Sequence, residues 1–340
     1  MALTIENDFQ LQDYNTFGVA ASASAYIGID SESALHELYD SGAFSQRPFL
    51  ILGGGSNILF TQDFDGLIVH MHIPGISHAV QGDQVVVTAG AGVVWNDLVW
   101  YCVRHGFAGI ENLALIPGSV GAAPIQNIGA YGTELMDVFH ECRVFNTQNG
   151  EVSTFDKAAC AFSYRDSIFK QPAQRGKHII TEVSLKLSLV ARVNTSYGAI
   201  QSELAARGIA KPTIQDMAEV VSAIRVSKLP DPSTIGNSGS FFKNPIVSVQ
   251  DFERIKERYP DLVSFPVDSE KIKIAAGWMI ERCGWKGKQV GGTGTWKNQA
   301  LVLVNYKNAS GSEVYKLSEK IIEDVKQRFG VTLEREVNII

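Results

Sequence analysis

The chain has 340 residues, 45% of them hydrophobic, with 36 acidic against 30 basic residues and a formal net charge of −6. That length exceeds what one compact core usually holds, so two or three domains are expected of a folded globular protein. The acidic balance excludes a broad phosphate-backbone binder, so nucleic acid is not an expected partner. An anionic ligand would have to be held by a few placed cations and backbone N–H groups.

In chain order, the N-terminal run MALTIENDFQLQDYNTFG is acidic and lacks the basic and apolar pattern of a secretory signal, so a cytoplasmic location is expected. Short apolar runs at Phe49–Leu52, Leu67–Val69 and Val85–Val87, separated by Gly and Asp turns, predict strands. Val94, Leu98, Val99 and Cys102 recur at helical spacing before Gly106, which predicts a helix over Val94–His105. Strands are expected near 139–146 and 178–189, and a helix over Thr213–Lys228, with Thr213 as N-cap and Asp216 three residues on. The run Leu229-Pro230-Asp231-Pro232 forbids continued helix and marks the best domain boundary. Beyond it, helices are expected at 248–259, 274–283 and 312–329, with strands at Ala300–Asn305 and at the C-terminus to Ile340.

The stretch 112–133 is uncharged and long enough to cross a bilayer, yet Pro117, Pro124, its glycines and its amides make it a binding-loop candidate, and no membrane partner is expected. Cys102, Cys142, Cys160 and Cys283 are scattered, with no CxxC pair, and read as reduced, mostly buried thiols. His70, His72, His78, His105 and His140 have no ligand spacing, so no metal is expected.

Three segments carry chemistry. Gly53-Gly54-Gly55-Ser56-Asn57 follows a strand, where backbone N–H groups can turn on a phosphate, but Ile58 stands where a GxGxxG loop needs its third glycine. Alone it reads more often as a tight turn. In the uncharged loop, small residues allow close approach, and Gln126 and Asn127 offer hydrogen bonds to a polar ring edge. Gly236-Asn237-Ser238-Gly239-Ser240-Phe241-Phe242-Lys243-Asn244-Pro245 sets a hydroxyl among flexible backbone, two rings, an amine and an amide; its plainer reading is a turn leading into an edge strand.

IPGSVGAAPIQNIGAYG, FSYRDSIFK, KLPDP and GNSGSFFKNP, in this order, make the chain resemble the UDP-N-acetylenolpyruvoylglucosamine reductases, from Asn15-Thr16-Phe17-Gly18 to Leu333-Glu334-Arg335-Glu336-Val337. The resemblance implies an α+β fold: a two-subdomain FAD-binding module of the vanillyl-alcohol-oxidase type over 1–228, split near 75, then a substrate-binding domain over 229–340. It implies that 190–212 carries a tyrosine loop that closes over substrate, and that 331–340 returns Glu336 to the active site. FAD would be non-covalent, because Gly53–Asn57 offers no histidine. The implied FAD contacts are Gly53, Gly54, Gly55, Ser56, Asn57, Ile116, Pro117, Gly118, Ser119, Gly121, Ala122, Ile125, Asn127 and Gly129, with Arg225 as an added cation.

The implied reaction passes hydride from NADPH to FAD and then to the β-carbon of an enolpyruvyl ether on a UDP-sugar, a step of peptidoglycan precursor synthesis. Fixed donors must steady the enolate that forms, and a proton must reach its α-carbon. Arg165 supplies a charged fork suited to the carboxylate, although alone it reads as a partner of Asp166 or another acid. Ser240 is the implied proton donor, eased by Lys228 or Lys243. Glu336, in the expected last strand, would steady the enolate while protonated or paired with Arg165. Tyr164, Tyr197, Lys228, Asn244, Lys286 and Gln299 are the implied substrate anchors. The pattern departs from the family after Gly292 and at Asn338, where some relatives carry a basic residue. No obligate protein partner is evident. A flavin oxidase of the same fold and a flavin- or nucleotide-binding protein without turnover are the competing readings.

Overall fold

The computed structural model describes residues 4–340. The chain forms two compact units: one takes the residues up to Phe9, Ala23–Gly55 and Asp65–Val226, the other Gln10–Ser22, Ser56–Phe64 and Ser227–Ile340.

The first unit holds two main sheets and a short hairpin of Gly129–Ala130 with Thr133–Glu134. One orders its strands Glu6–Gln10, Ser22–Ile29, Phe64–Met71 and Phe49–Leu52, the last two pairing in parallel. Ala25, Ile27 and Ile29 alternate inward there and pack with Leu35 and Leu38 of the helix Glu32–Asp40 and with Leu67, Val69 and Met71. The second sheet is antiparallel, in the order Val152–Asp156, Phe139–Asn146, His178–Ser188, Gln84–Gly90 and Ile76–Gln81. Val85, Val87 and Ala89 project from one face into a core shared with two helices. Trp95–Arg104 contributes Trp95, Leu98, Val99 and Cys102, and Ile214–Lys228 contributes Met217, Val221 and Ile224. Each fully buried aliphatic side chain adds about 1.5–3 kcal/mol.

In the second unit the segment Gly236–Ser240 is the edge strand of a sheet that continues through Val302–Asn305, Thr293–Thr295 and Gln289–Val290. A three-stranded sheet orders Ile246–Ser248, Lys271–Ile274 and Ser264–Pro266. The helix Gly311–Phe329 starts at a capping box in which Ser310 and Glu313 satisfy each other's backbone N–H, and it ends at Gly330 with φ 71°. Asn338–Ile339 pairs in parallel with Ile58–Leu59.

The expected helices and most of the expected strands fall within a few residues of their places, while strands such as Ser22–Ile29, Ile76–Gln81 and Val152–Asp156 lie where none was expected. Four helices do not follow from the sequence reading: the four-residue Ala43–Gln46 and Lys157–Cys160, and two longer ones, Glu32–Asp40 and Gly198–Ala206 inside the expected tyrosine loop. Even the longer two are short, nine residues each, too few for a persistent apolar stripe. The expected terminal strand is reduced to Asn338–Ile339, so Glu336 lies in irregular chain just before it. Among the described residues no helix is long and apolar enough to cross a membrane, and no group of three or more His, Cys, Asp or Glu is placed to hold a metal ion.

One ion pair of the first unit joins distant elements. Arg143 donates to both carboxylate oxygens of Glu32 at 2.8 Å, and Thr181 adds a third bond. The Arg143 hydrogen bond, the largest cause, holds the Glu32 carboxyl below its ordinary value of 4.5 in spite of partial burial. Both groups are partly exposed, so Glu32→Gln is expected to lower unfolding free energy by about 1 kcal/mol near neutral pH. A depressed carboxylate pKa stabilises above the unfolded value and is lost as pH falls through the folded one. Urea titrations at neutral pH and at about pH 3 should therefore show the difference shrinking in acid; an equal difference at both would remove the charge from the explanation.

Candidate active site

The two glycine loops meet within the first unit. A Cβ on Gly53 would strike Ser119 Oγ, one on Gly54 would lie 3.0 Å from the Gly118 Cα, and one on Gly121 would lie 2.6 Å from the Ala91 Cβ. These glycines therefore serve close backbone approach. The contact is locked by Gly118 O accepting from Trp95 N (2.9 Å), Val93 O from Val120 N (2.8 Å) and Ala91 O from Gly121 N (3.0 Å). Gly54, Leu115, Pro117 and Ala122 stay exposed, while Ile116 and Ile125 pack partly against the main core. A bare backbone rim beside exposed apolar side chains fits a ligand with a phosphate end and a flat apolar end, as FAD has.

Arg225 lies beneath this rim, its Nε donating to Leu115 O at 3.1 Å. Loss of water pulls its pKa below the ordinary arginine value; Tyr131 acts in the opposite sense, and Arg165 lowers it further. Arg225 thus feels the charge of Arg165, and a desolvated guanidinium of this kind complements an anionic group.

Arg165 sits in the tight turn where Ser163 and Asp166 exchange backbone bonds, with φ 55°. Its guanidinium donates to Gly129 O at 2.6 Å and Asn127 O at 3.4 Å, and it stacks 5.5 Å over the Tyr164 ring. A side chain on Gly129 would come within 3.0 Å of Arg165 Nη1, so that glycine makes room for the arginine. Asp166 instead accepts from Ser167 N at 2.9 Å and Gln171 Nε2 at 3.3 Å.

Asn127 corrects the sequence reading. Rather than offering its amide to a ring edge, it is fully buried: Nδ2 donates to Glu134 (3.0 Å) and Ser163 O (3.1 Å), and Oδ1 accepts from Met136 N (3.0 Å). A buried primary amide must be satisfied, and here it ties the glycine loop to the Arg165 turn. Tyr197 is 39% exposed and presents an edge contact, 5.2 Å between centroids, to Tyr131. Tyr131 and Asn112 were not singled out by the sequence reading. Asn112 is buried and donates to Tyr131 O (3.1 Å) and Asn194 O (2.9 Å), so it ties two loops; its place at the start of the uncharged stretch was the only signal.

In the second unit, Ser240 and Glu336 are drawn together through backbone. Glu336 N donates to Phe241 O (2.9 Å), Lys243 N donates to Glu334 O (2.9 Å), and Phe242 bridges Arg335. The register shift between Asn237 and Ser240, with Gly239 at φ 67°, breaks the strand just before the serine. Asn57 steadies the same place: its Nδ2 donates to Glu336 O at 3.3 Å, and its carbonyl accepts from Asn338 N at 3.1 Å and Asn338 Nδ2 at 2.9 Å. Asn338 thus has a structural task, while Ser56 lies half-buried beside Asn57.

The expected anchors differ in their commitments. Lys243, offered as a cation to ease loss of the Ser240 proton, is ion-paired with Glu334, and Lys286 with Glu281 at 3.0 Å. Asn244 Oδ1 accepts from Ala276 N at 2.9 Å and so starts the helix Ala276–Arg282. Gln299 Oε1 accepts from Leu301 N at 3.3 Å. Two adjacent acids account for the lysines, a pairing over 91 residues in one case that no local pattern foretells. Arg165, Tyr164, Tyr197, Arg225 and the glycines through Gly55 belong to the first unit; Ser56, Asn57, Lys228, Ser240, Asn244, Lys286, Gln299 and Glu336 belong to the second.

Asn127→Ala should destabilise the flavin-free protein by about 2 kcal/mol, since it strands buried backbone and carboxylate partners. Thermal denaturation of the apoprotein checks this. Unchanged melting with weakened FAD binding would instead make Asn127 a ligand.

A family model described as FAD binding domain matches residues 23–156, and one described as the C-terminal domain of UDP-N-acetylenolpyruvoylglucosamine reductase matches 231–340. The chain is 45% identical to the UDP-N-acetylenolpyruvoylglucosamine reductase of Flavobacterium johnsoniae, over 99% of this chain and 100% of the relative. It is 44% identical to that of Pseudomonas aeruginosa over 100% of both. The crystal structure of the reductase from Thermus caldophilus superposes with a TM-score of 0.67 at 23% identity, covering 100% of this chain and 99% of that one. Substrate-bound p-cresol methylhydroxylase superposes at 0.51 and 11% identity, covering 96% and 84%, a likeness of fold alone. The fold is thus an FAD-binding domain followed by a C-terminal α+β domain. With near-complete coverage at this identity, the chain belongs to the UDP-N-acetylenolpyruvoylglucosamine reductase family.

Proposed function

We propose that this protein is a cytoplasmic, NADPH-dependent, FAD-containing oxidoreductase that reduces UDP-N-acetyl-3-O-(1-carboxyvinyl)-glucosamine to UDP-N-acetylmuramate for peptidoglycan synthesis. Full-length identity of 45% to a reductase of that name supports the reaction. The observation that carries its chemistry is the backbone pairing that sets Glu336 one residue from Ser240. The chemistry supplied by bound FAD is relay of a hydride from NADPH to the substrate β-carbon. FAD would be held without a covalent bond by Gly53–Gly55 and the loop 116–130, with Arg225 as an added cation.

Arg165 binds the substrate carboxylate, where negative charge grows; its planar fork is positioned by main-chain carbonyls, which a lysine would not match. Ser240 Oγ gives its proton to the α-carbon, a transfer that a hydroxyl can make because an enolate is strongly basic. Glu336 steadies the enolate. Lys228, whose ammonium has no ion-pair partner among the described residues, is suited to the diphosphate, and residues 229–340 form the substrate domain. Tyr197 closes over bound substrate, which excludes water from hydride transfer.

An anaerobic two-step mix tests the reading. NADPH should bleach the flavin, and the enolpyruvyl substrate should restore its colour; bleached flavin that the substrate never reoxidises rejects the reductase. Ser240→Ala should leave bleaching nearly intact while slowing reoxidation by about 10²–10⁴-fold. Equal damage to both steps would place Ser240 at the flavin instead.

A further inference from the structure

Two of the four cysteines, 18 residues apart, lie together in the first unit with their Sγ atoms 4.0 Å apart. Cys142 is in the strand Phe139–Asn146, paired with Phe155 on one side and Val183 on the other. Cys160 closes the four-residue helix Lys157–Cys160, whose only side-chain cap is Asp156 accepting from Ala159 N at 2.8 Å. Both thiols are buried, and neither takes part in the reaction proposed above. A disulfide needs its sulfurs at about 2.05 Å, so bond formation closes this gap by roughly 2 Å. The central strand is held by ladders on both edges, whereas the short helix is not. Cys160 is therefore the partner that moves.

The chain just beyond Cys160 leads directly to Arg165. Ala161 takes φ 46°, Phe162 packs edge-on against Phe139 with centroids 4.9 Å apart, and the Ser163–Asp166 turn then presents Arg165 at φ 55°. The turn is short and already in an uncommon backbone conformation, so a shift at Cys160 reaches Arg165.

We propose that Cys142 and Cys160 are a redox modification site, forming a reversible disulfide that displaces Arg165 and so switches off reduction of the carboxylate substrate. The switching half rests on the role given to Arg165 above; the disulfide itself does not. The oxidant is a small uncharged peroxide. One thiol attacks the peroxide O–O bond, giving a sulfenic acid and water, and the second attacks that sulfur and releases a second water. Two S–H bonds and one O–O bond are lost, one S–S bond and two O–H bonds form, and the two electrons pass to the peroxide oxygens, which leave as water. An added dithiol reverses the step by exchange. The hydrogen bond between the two thiols, followed by burial, pushes the Cys142 thiol well above its ordinary value, so the pair is slow to react and excludes bulky charged oxidants. Cys102, buried and pushed up to about 12, is a lone-thiol control, and half-exposed Cys283 reports general oxidation.

The test treats the full-length flavin-loaded enzyme with hydrogen peroxide, alkylates it in denaturant, and maps thiols by peptide mass spectrometry beside the two anaerobic half-reactions. A Cys142–Cys160 link is expected, with bleaching by NADPH retained, reoxidation by substrate slowed about a hundredfold, and recovery in dithiothreitol. Cys160→Ala should keep substrate reduction under peroxide, with Cys142→Ala as the second variant if the first does not fold. Absence of the link while Cys283 is oxidised overturns the site. A link that leaves reoxidation unchanged, or an equal loss in both alanine variants, overturns the switch. Untreated enzyme that never reduces the substrate would refute the reductase reading and the switch with it, while the mass-spectrometric link is scored independently.

Discussion

A long coil that runs through a protein interior must have its peptide groups satisfied, and in this chain side chains from distant elements do that for the segment between Gly106 and Phe139. Trp95 Nε1 donates to Leu113 O (3.0 Å), Leu115 N donates to Asn96 Oδ1 (2.7 Å), and Ser167 Oγ donates to Ile125 O (2.6 Å). Arg225 and Arg165 cover Leu115 O and Gly129 O. Apart from one short hairpin, Gly129–Ala130 with Thr133–Glu134, and three single helical turns, the segment has no regular structure, so its shape rests largely on these pins. Residues placed in the chemistry are among the pins, and substitution at Arg165 or Arg225 changes the loop as well as the charge.

That dependence also decides what was legible in the sequence. Period and punctuation exposed the helices Trp95–Arg104, Ile214–Lys228 and Gly311–Phe329, because apolar stripe, cap and glycine stop are local signals. The glycine loops were legible as segments that come close to something, though not what they approach. Gly53 and Gly54 face Ser119 and Gly118, protein backbone and side chain as much as any ligand. The direction of Asn127 was not legible, since a primary amide in a loop serves outward recognition and inward bracing equally well; only Glu134, Ser163 and Met136 distinguish them. Nor does any spacing announce that Cys142 and Cys160 meet.

The second unit places its groups by another means. Ser240 and Glu336 are separated by almost a hundred residues, and main-chain bonds align them, with Asn57 bracing Glu336 O and Asn338. Backbone placement tolerates sequence change at the neighbours, while main-chain bonds keep the two backbones in place. The interruption at Gly239 matters for the same reason: a fully paired strand would hold Ser240 within a regular ladder, and the break re-aims it.

Charge completes the argument. In an acidic chain, the desolvated Arg225 senses Arg165 as a like charge, an arrangement that costs free energy in the unliganded protein. A ligand anion brought near both arginines reverses the sign of that contribution, so part of its binding free energy comes from relieving repulsion already present. Stability and affinity are therefore linked at this place: the state that bears the two cations without an anion is the one that ligand binding depletes. A broadly basic surface would attract phosphates of every kind; a placed cation beside a bare backbone rim favours a ligand that also fills the apolar ground next to it.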